Sequence, residues 1–192
     1  MDKSIPHYGV VMVLDEINND VKINLPVGYK FSMYEKGDEK DWAKIETSVG
    51  EFGDEQKALE RFQREFGKES SLMESRCIFI EDSNGDKIAT TTAWYGDLFG
   101  KEQGRIHWVA VMPNQQGKGL GKALISKALL LFYEQGFTGN IYLTTQTWSY
   151  KAIKMYKKFG FKPYIRGNNS QDDKQFQDDQ KAWSIINKII SG

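Results

Sequence analysis

The segment that decides the fold is VAVMPNQQGKGLGKA, residues 109–123. Its first residues, Val109–Met112, predict a strand that stops at Pro113, because proline cannot donate a hydrogen bond to a sheet ladder. Three glycines at alternate positions follow, and an apolar helical pattern begins just after them. A strand, glycine loop and helix in this order bring backbone N–H groups to one point at a helix N-terminus, which favours phosphate binding.

Two common phosphate-binding motifs do not fit this loop. A Walker A loop needs Ser or Thr after its Gly-Lys pair, but Ala123 follows Lys122. A dinucleotide fingerprint needs Gly-x-Gly-x-x-Gly. Its last position falls on Lys122 when counted from Gly117, and on Leu124 when counted from Gly119. Nucleotide hydrolysis and dinucleotide binding are therefore excluded as explanations of the loop.

Outward from this segment, periodicity and turn residues predict strand, two helices, three antiparallel strands, helix, strand, helix and strand. The predicted strands are Val10–Leu14, Tyr29–Tyr34, Arg76–Glu81, Lys87–Trp94, Arg105–Met112, Asn140–Gln146 and Phe161–Ile165. The predicted helices are two within 38–66 that are separated at Gly50 and Gly53, one over Lys118–Glu134, and one from an N-cap at Ser149 to Phe159. Loops or turns are expected near Asn18, over 96–104 and over the polar stretch 168–180, and the segment 183–190 is helix or strand.

This order predicts a mixed α/β (α+β) fold, with a mostly antiparallel central sheet, one βαβ crossover and flanking helices. We expect one domain over residues 29–192, with residues 1–28 as an N-terminal extension packed on it. The chain has 192 residues, a hydrophobic fraction of 40% and a mean hydropathy of −0.57, which is typical of a soluble globular protein. The lone Cys77 cannot form an internal disulfide, and the first residues lack a signal-peptide pattern, so a cytoplasmic protein is expected.

The balanced charge, 26 basic against 26 acidic residues, hides one basic segment. Residues 101–166 contain eleven Lys or Arg and two Glu, a net charge of +9. Such a segment in a neutral chain favours a discrete anion site over nucleic-acid binding through the whole surface. Solvated helix faces are the other interpretation, and nucleic-acid binding along Lys151–Lys162 is the least favoured.

The loop and its flanks resemble the GNAT superfamily of acyl-CoA-dependent N-acetyltransferases. Gln116, Gly119 and Gly121 fill the Gln/Arg-x-x-Gly-x-Gly/Ala pattern of its motif A, and the lead-in strand 109–113 is similar too. Residues 149–161, with their Ala, Tyr and Gly-Phe landmarks, resemble its motif B. The resemblance covers about half of the chain, from the Arg76 hairpin to Tyr164, and implies the GNAT fold.

The resemblance also implies acetyl-CoA as cosubstrate, with no metal. The implied contacts are the main chain of Val109, Ala110 and Val111, the residues Gln116, Gly117, Lys118, Gly119, Leu120, Gly121 and Lys122 at the pyrophosphate, and Ser149. Ser149 stands where many relatives have an Asn, and an N-cap explains it equally well.

For catalysis, Tyr156 occupies the family's position for a tyrosine near the CoA sulfur, which implies a proton donor to the leaving thiolate. A core aromatic is the structural alternative. His107 lies two residues before Val109, so we expect both on one face of the strand, with His107 as general base. A water relay, Glu51 or Glu55 would serve equally well.

The acceptor is expected to be a primary amine, on a small molecule or a peptide, that attacks the thioester directly. Trp42, Phe52, Glu51, Asp54 and Glu55 suggest an acidic, aromatic-lined cleft for a cationic amine, although solvated helices have the same composition. A catalytically idle GNAT fold that binds acyl-CoA as a sensor or interaction module is the alternative function. No nucleic-acid or membrane partner is expected, and a homodimer is left open.

Overall fold

The computed structural model describes residues 1–17, 22–98, 100–167 and 173–191. These residues form seven strands: β1 (Gly9–Leu14), β2 (Lys30–Met33), β3 (Cys77–Glu81), β4 (Lys87–Asp97), β5 (Glu102–Val111), β6 (Ile141–Gln146) and β7 (Lys162–Tyr164). They also form six α-helices: α1 (Glu39–Ser48), α2 (Glu55–Phe66), α3 (Ser70–Arg76), α4 (Leu120–Glu134), α5 (Tyr150–Lys158) and α6 (Lys174–Ile190). The architecture is the expected mixed α/β fold, with mostly antiparallel strands and flanking helices.

The chain divides into two compact units. The loop unit contains Ile17–Gly96 and Gly104–Thr138, and so includes the glycine loop. The crossover unit contains Met1–Glu16, Asp97–Gln103 and Gly139–Gly192. The predicted boundary after Gly28 stays a prediction.

In the loop unit, β2, β3, β4 and β5 are neighbours in that order. β3 runs antiparallel to both β2 and β4, with Phe79 opposite Ser32 on one side and Thr90 on the other. Helix α4 packs against β3, and the apolar stripe of α2 buries Phe62 and Phe66 against α1 and the sheet. Five of the eleven buried residues in this core are aromatic, and Ala110 and Trp108 of β5 pack with them.

Two local expectations for the loop unit were wrong. The loop over 96–104 is shorter than expected, because β4 continues to Asp97 and β5 begins at Glu102, so that Gly96 and Gly104 lie in strand segments. Sheet pairing overrides the low strand propensity of glycine at these positions. Helix α3 was missed, since its seven residues are too few to show a clear helical period.

In the crossover unit, β1 lies between β6 and β7 and runs antiparallel to both. Strands β6 and β7 are therefore parallel to each other, and α5 connects them, so this is a βαβ crossover of the expected kind. Every residue of Val10–Leu14 is buried, as a central strand requires. The segment 9–14 is thus a strand of the sheet, as its sequence predicts.

The undecided C-terminal element is a helix. Asp173 begins it as N-cap, with its side chain accepting from the Phe176 N–H at 3.1 Å, and Trp183 and Ile186 are buried. Residues 174–180 of the predicted polar stretch belong to this helix. The expected turn near Asn18 and the rest of the polar stretch up to 172 lie outside the described residues.

A buried ion pair fixes α6 in the crossover unit. Asp179, which is 1% exposed, accepts from the backbone N–H of Arg166 at 2.6 Å and from its guanidinium Nε at 3.0 Å. Gln175 donates to the same carboxylate at 3.1 Å, and Arg166 also donates to the Gly9 carbonyl at 3.2 Å. One carboxylate therefore connects α6 to the segment after β7 and, through Arg166, to β1.

We expect Asp179→Ala to lower the free energy of unfolding by about 3 kcal/mol, because it leaves the Arg166 charge without its buried partner. The measurement is denaturant unfolding. Asp178→Ala is the matched control, since Asp178 is on the same helix, partly exposed, and 3.9 Å from Lys181, and it should cost less than about 1 kcal/mol. Equal losses in the two variants would contradict this assignment.

Candidate active site

The glycine loop leaves β5 through a single 3-10 turn at Pro113–Gln115 and enters α4 at Leu120. Gly117 and Gly119 have φ angles of +80° and +86°, in the left-handed region that favours glycine. A Cβ built at either position would meet no atom within 4 Å. The chain thus keeps an open concave turn at the start of the helix.

The backbone N–H groups of this loop are available to a ligand. The first hydrogen bond of α4 runs from Ala123 N–H to the Gly119 carbonyl, at 3.1 Å. Within the parts of the chain that the structure describes, no acceptor was found for the N–H groups of residues 117–122. Together with the positive end of the α4 dipole, these unpaired donors form a site suited to an anion.

The side chains of the loop hold it in place. Gln116 Nε2 donates to the Val111 carbonyl at 2.9 Å, which ties the loop to the end of β5. The Lys118 ammonium donates to Gln115 Oε1 at 2.6 Å and to the Tyr29 hydroxyl at 3.0 Å. The Lys118 side chain is therefore hydrogen-bonded to its neighbours. Its contribution to the anion site is its backbone N–H group.

Strand β5 is irregular at Trp108, whose φ of +52° is the one positive value at a non-glycine residue in the described ranges. His107 contacts Phe66 on α2, and Trp108 contacts Trp42 on α1, so two consecutive side chains face the helices. This is the effect of a β-bulge, which shifts the alternation of a strand by one residue. His107 therefore shares its face with Ala110, and the expectation that it shares a face with Val109 was wrong.

A histidine–carboxylate pair lies beside the bulge. His107, 7% exposed, makes a short hydrogen bond through Nε2 to Glu65 Oε1, and Arg61 Nε donates to Glu65 Oε2 at 2.8 Å. Arg61 also lies over the Trp108 ring, 5.6 Å from its centroid. Helix α2 thus contacts β5 through two side chains: Glu65 is hydrogen-bonded to His107, and Arg61 packs over Trp108.

Burial lowers the pKa of His107 to about 4; the Glu65 hydrogen bond opposes this, and the charges of Arg105 and Arg61 add to it. Burial raises the pKa of Glu65, but the hydrogen bonds and charges of His107 and Arg61 outweigh it and bring that pKa to about 2. At neutral pH the pair is a neutral imidazole and a carboxylate. Nε2 then carries the proton that Glu65 accepts, and Nδ1 carries the lone pair.

The acidic residues expected near the acceptor lie on the surface. Glu51 is exposed in the loop between α1 and α2, and Glu55 is exposed at the start of α2. Both remain alternatives to His107 as general base. Asp54 is the N-cap of α2, since its carboxylate accepts from the Lys57 N–H at 2.8 Å.

Two predicted site residues, Tyr156 and Ser149, belong to the crossover unit. Tyr156 is 5% exposed on α5 and meets Phe161 edge-on at 6.1 Å between ring centroids. Ser149 occupies the N-cap position of α5, but its side chain makes no capping hydrogen bond. The preceding turn is fixed by the N-terminal segment: Trp148 Nε1 donates to the Ile5 carbonyl at 2.7 Å, and the Tyr8 N–H donates to Thr147 Oγ1 at 3.1 Å.

The basic residues of α5 are not all directed to solvent. Lys157 donates to Asn187 Oδ1 at 3.1 Å and lies over the Trp183 ring, 5.5 Å from its centroid. It therefore joins α5 to α6, whereas Lys151, Lys154 and Lys158 are exposed. Part of the +9 segment thus has a packing role.

A family model described as Acetyltransferase (GNAT) family matches residues 39–161. The chain belongs to this family. The matched range contains the glycine loop, the bulge of β5 and Tyr156, and the members of the GNAT family are acyltransferases. A comparison with curated proteins gave no match.

Solved structures agree with the GNAT fold. The GCN5-related N-acetyltransferase from Sphaerobacter thermophilus has a TM-score of 0.66 at 20% identity, over 82% of this chain and 49% of that one. A tandem GNAT protein from the clavulanic acid biosynthesis pathway has a TM-score of 0.59 at 17% identity, over 82% of this chain and 50% of that one. The glucosamine-6-phosphate N-acetyltransferase from Arabidopsis thaliana has a TM-score of 0.53 at 19% identity, over 76% of this chain and 99% of that one. The chain spans about half the length of the first two, and identities this low establish the fold alone.

Within this GNAT chain, three features of the site were missed by sequence reasoning. The Arg61–Glu65 pair has an i,i+4 spacing that sequence shows, but its bond to His107 joins residues 42 positions apart. The bulge at Trp108 has no sequence signal. The third feature, the burial of Glu46 beside Trp42 and Ile45 on α1, belongs to the core of the loop unit, and its position on an apolar stripe is a sequence signal.

Among the described residues there is neither a metal-ligand cluster nor a membrane-spanning helix. Over residues 1–17, 22–98, 100–167 and 173–191, no three His, Cys, Asp or Glu side chains are grouped closely enough to hold a metal ion. In the same ranges, no helix combines the length and the apolar character needed to cross a membrane.

Proposed function

We propose that the chain transfers an acetyl group from acetyl-CoA to a primary amine, which attacks the thioester directly. The observation that carries this proposal is the open loop at the start of α4, with its available N–H groups, in the same unit as the His107–Glu65 pair. An anion site alone supports binding, and a neutral buried imidazole with a carboxylate behind it adds the means to move a proton.

The residues present fit the cosubstrate. Positive φ angles and open space at Gly117 and Gly119 let a pyrophosphate approach the loop backbone closely. The main chain of Val109–Val111 is proposed to bind the pantetheine arm and to orient the acetyl carbonyl. The Ser149 hydroxyl, which makes no capping bond, is proposed as a further contact. The N–H donors are proposed at Gly117, Lys118, Gly119, Leu120, Gly121 and Lys122, with Gln116 holding the loop.

His107 is proposed as the general base. Its depressed pKa keeps the imidazole in the free-base form at neutral pH, ready to accept a proton at Nδ1. The amine proton becomes acidic only after nitrogen has attacked the carbonyl, so even a weak base can remove it. Glu65, which accepts from Nε2, then stabilises the imidazolium that forms.

Tyr156 is proposed as the general acid. A phenol, with an ordinary pKa near 10, can return a proton to a thiolate whose conjugate acid has a pKa of about 8.5. The ring of Tyr156 is held in the crossover unit by Phe161. This role rests on the family position of Tyr156 and on its burial.

The acceptor is proposed to be a small-molecule or peptide amine. The plant relative is named for glucosamine 6-phosphate, so an amino-sugar phosphate belongs in the test panel beside alkylamines, polyamines, aminoglycosides and peptides. The proposal is tested by following release of the free CoA thiol from acetyl-CoA over this panel. Turnover with at least one amine is expected. CoA binding without any turnover would instead support the idle acyl-CoA-binding fold.

Gly119→Ala is expected to weaken CoA binding about tenfold or more. An alanine at a φ of +86° costs about 1–2 kcal/mol, so the loop changes shape and its N–H groups lose alignment. Gly136→Ala is the matched control, because Gly136 ends the same helix with a φ of +71° and equally open surroundings. Isothermal titration with CoA should show the loss for Gly119→Ala only, and equal affinities would remove the loop from the CoA site.

A further inference from the structure

Three mutual hydrogen bonds join the glycine loop to the turn before β2. The Tyr29 hydroxyl donates to Gln115 Oε1 at 3.0 Å and accepts from the Lys118 ammonium at 3.0 Å. Lys118 also donates to Gln115 Oε1, at 2.6 Å. The direction of each bond is fixed, because an ammonium can only donate and an amide oxygen can only accept. Each of the three groups is bonded to the other two, and we call them the Tyr29 clamp.

Tyr29 is itself held by the residues around it. Its N–H donates to the Pro26 carbonyl at 3.3 Å, across a turn in which Gly28 has a φ of +88°. The next residue, Lys30, begins β2, lies opposite Glu81 of β3 and forms an ion pair with it at 2.7 Å. The clamp therefore attaches the loop to the start of a paired strand, 89 positions before Lys118 in the chain.

The loop has little packing that could fix its shape. Residues 116–119 are exposed, and a Cβ at Gly117 or Gly119 would meet no atom within 4 Å. Glycine loses more conformational freedom than any other residue when it is ordered, so a loop that orders only on binding loses affinity for its ligand. Lys118 lies between the two glycines. A bond from its side chain to the sheet therefore restrains the middle of the loop before any ligand arrives.

The clamp contains no negative charge. The partners of Lys118 are a phenol and an amide, and its ammonium also lies 5.7 Å from the centroid of the Tyr29 ring. A carboxylate could hold the ammonium equally well, but it would repel a pyrophosphate from the N–H groups beside it. Neutral acceptors hold the side chain and leave the anion site without an opposing charge. The composition of the clamp is thus suited to a loop that binds an anion.

We propose that Tyr29 is a positioning residue of the CoA site: through Lys118 and Gln115, its hydroxyl holds the glycine loop in the shape that binds the pyrophosphate. Tyr29 acts on the cosubstrate only through these two residues and has no part in the chemical step. The inference rests on acetyl-CoA as the proposed cosubstrate. It extends the site to residues 26–29, which lie outside the family match over 39–161.

Isothermal titration with CoA tests the clamp in Tyr29→Phe. This variant keeps the ring beside Lys118 and removes only the hydroxyl, so the dissociation constant is expected to rise about three- to tenfold. The melting temperature without CoA, and kcat at saturating acetyl-CoA, should not change. Tyr133→Phe is the matched control, because Tyr133 lies on α4 with 51% of its surface exposed, and it should match the wild type. Equal CoA affinity in Tyr29→Phe and the wild type would overturn the inference.

A double-mutant cycle with Lys118→Met separates positioning from a general effect on the fold. Because Tyr29 acts through the clamp, the loss of CoA affinity in the double variant should be smaller than the product of the two single losses. Fully multiplicative losses would give Tyr29 a role outside the clamp and overturn the inference. A marked fall in the melting temperature of Tyr29→Phe would assign its hydroxyl to the fold, with the same consequence.

The same titrations distinguish this inference from the proposed function. If the wild type binds CoA and Tyr29→Phe binds it equally well, only this inference fails. If CoA binding depends on the clamp but no amine is acetylated, the inference holds and the proposed transfer fails. If the wild type does not bind CoA, both are overturned.

Discussion

His107→Ala is expected to lower kcat/KM for amine acetylation by about 10²- to 10⁴-fold, the usual contribution of a general base. The dissociation constant of CoA should not change, because the proposed CoA contacts of the loop unit are in the glycine loop and in the main chain of residues 109–111. Stopped-flow or steady-state thiol release with the best amine of the panel provides the measurement. A residual activity above half of the wild type would instead favour a water relay, Glu51 or Glu55 as the base.

The pH profile gives a second readout of the same assignment. The pKa of His107 is depressed to about 4, below its ordinary value of about 6.5, so the imidazole stays a free base as pH falls from 7 towards 5. We therefore expect no loss of kcat/KM near pH 6.5 beyond that due to protonation of the amine itself. A histidine-dependent fall centred near pH 6.5 would contradict the buried, neutral His107.

Glu65 is a positioning residue, since it acts on the amine only through His107. Glu65→Gln removes the carboxylate that stabilises the imidazolium, so activity should fall, although less than in His107→Ala. The double variant should be no slower than His107→Ala alone, because the two residues form one unit. Additive losses would show that Glu65 has a separate role.

Tyr156→Phe is expected to lower kcat about 10²-fold, because the leaving thiolate loses its proton donor. The phenyl ring preserves the contact with Phe161, so CoA binding and the melting temperature should change little. Tyr150→Phe, at the first position of the same helix, is the matched control and should stay within twofold of the wild type. Loss of stability with unchanged kcat would assign Tyr156 to the core.

The glycine loop could be predicted from sequence because its geometry is local. A proline that ends a strand, glycines that permit positive φ, and an apolar stripe that begins α4 all lie within fifteen residues. The hairpin between β3 and β4 and the two helices α1 and α2 were confirmed for the same reason. Each follows from short-range spacing and from turn residues such as Asn84-Gly85.

The chemistry of the site depends on contacts that sequence does not encode locally. His107 was identified as a candidate, but its partner Glu65 comes from another element, and the bulge at Trp108 decides which way the imidazole faces. Glu46 could have been noticed, because a carboxyl group on an apolar helical stripe is rare. That its Oε1 atom has no hydrogen-bond partner among the described residues becomes visible only in the folded structure.

The central claim is transfer of an acetyl group to an amine, and the mass of the product tests it most directly. The chain is incubated with [¹³C₂]acetyl-CoA and the amine panel, and the amines are then analysed by mass spectrometry. The account predicts an amide that carries both labelled carbons, formed by the wild type and strongly reduced in His107→Ala and Tyr156→Phe. CoA binding without labelled amide on any amine would contradict it.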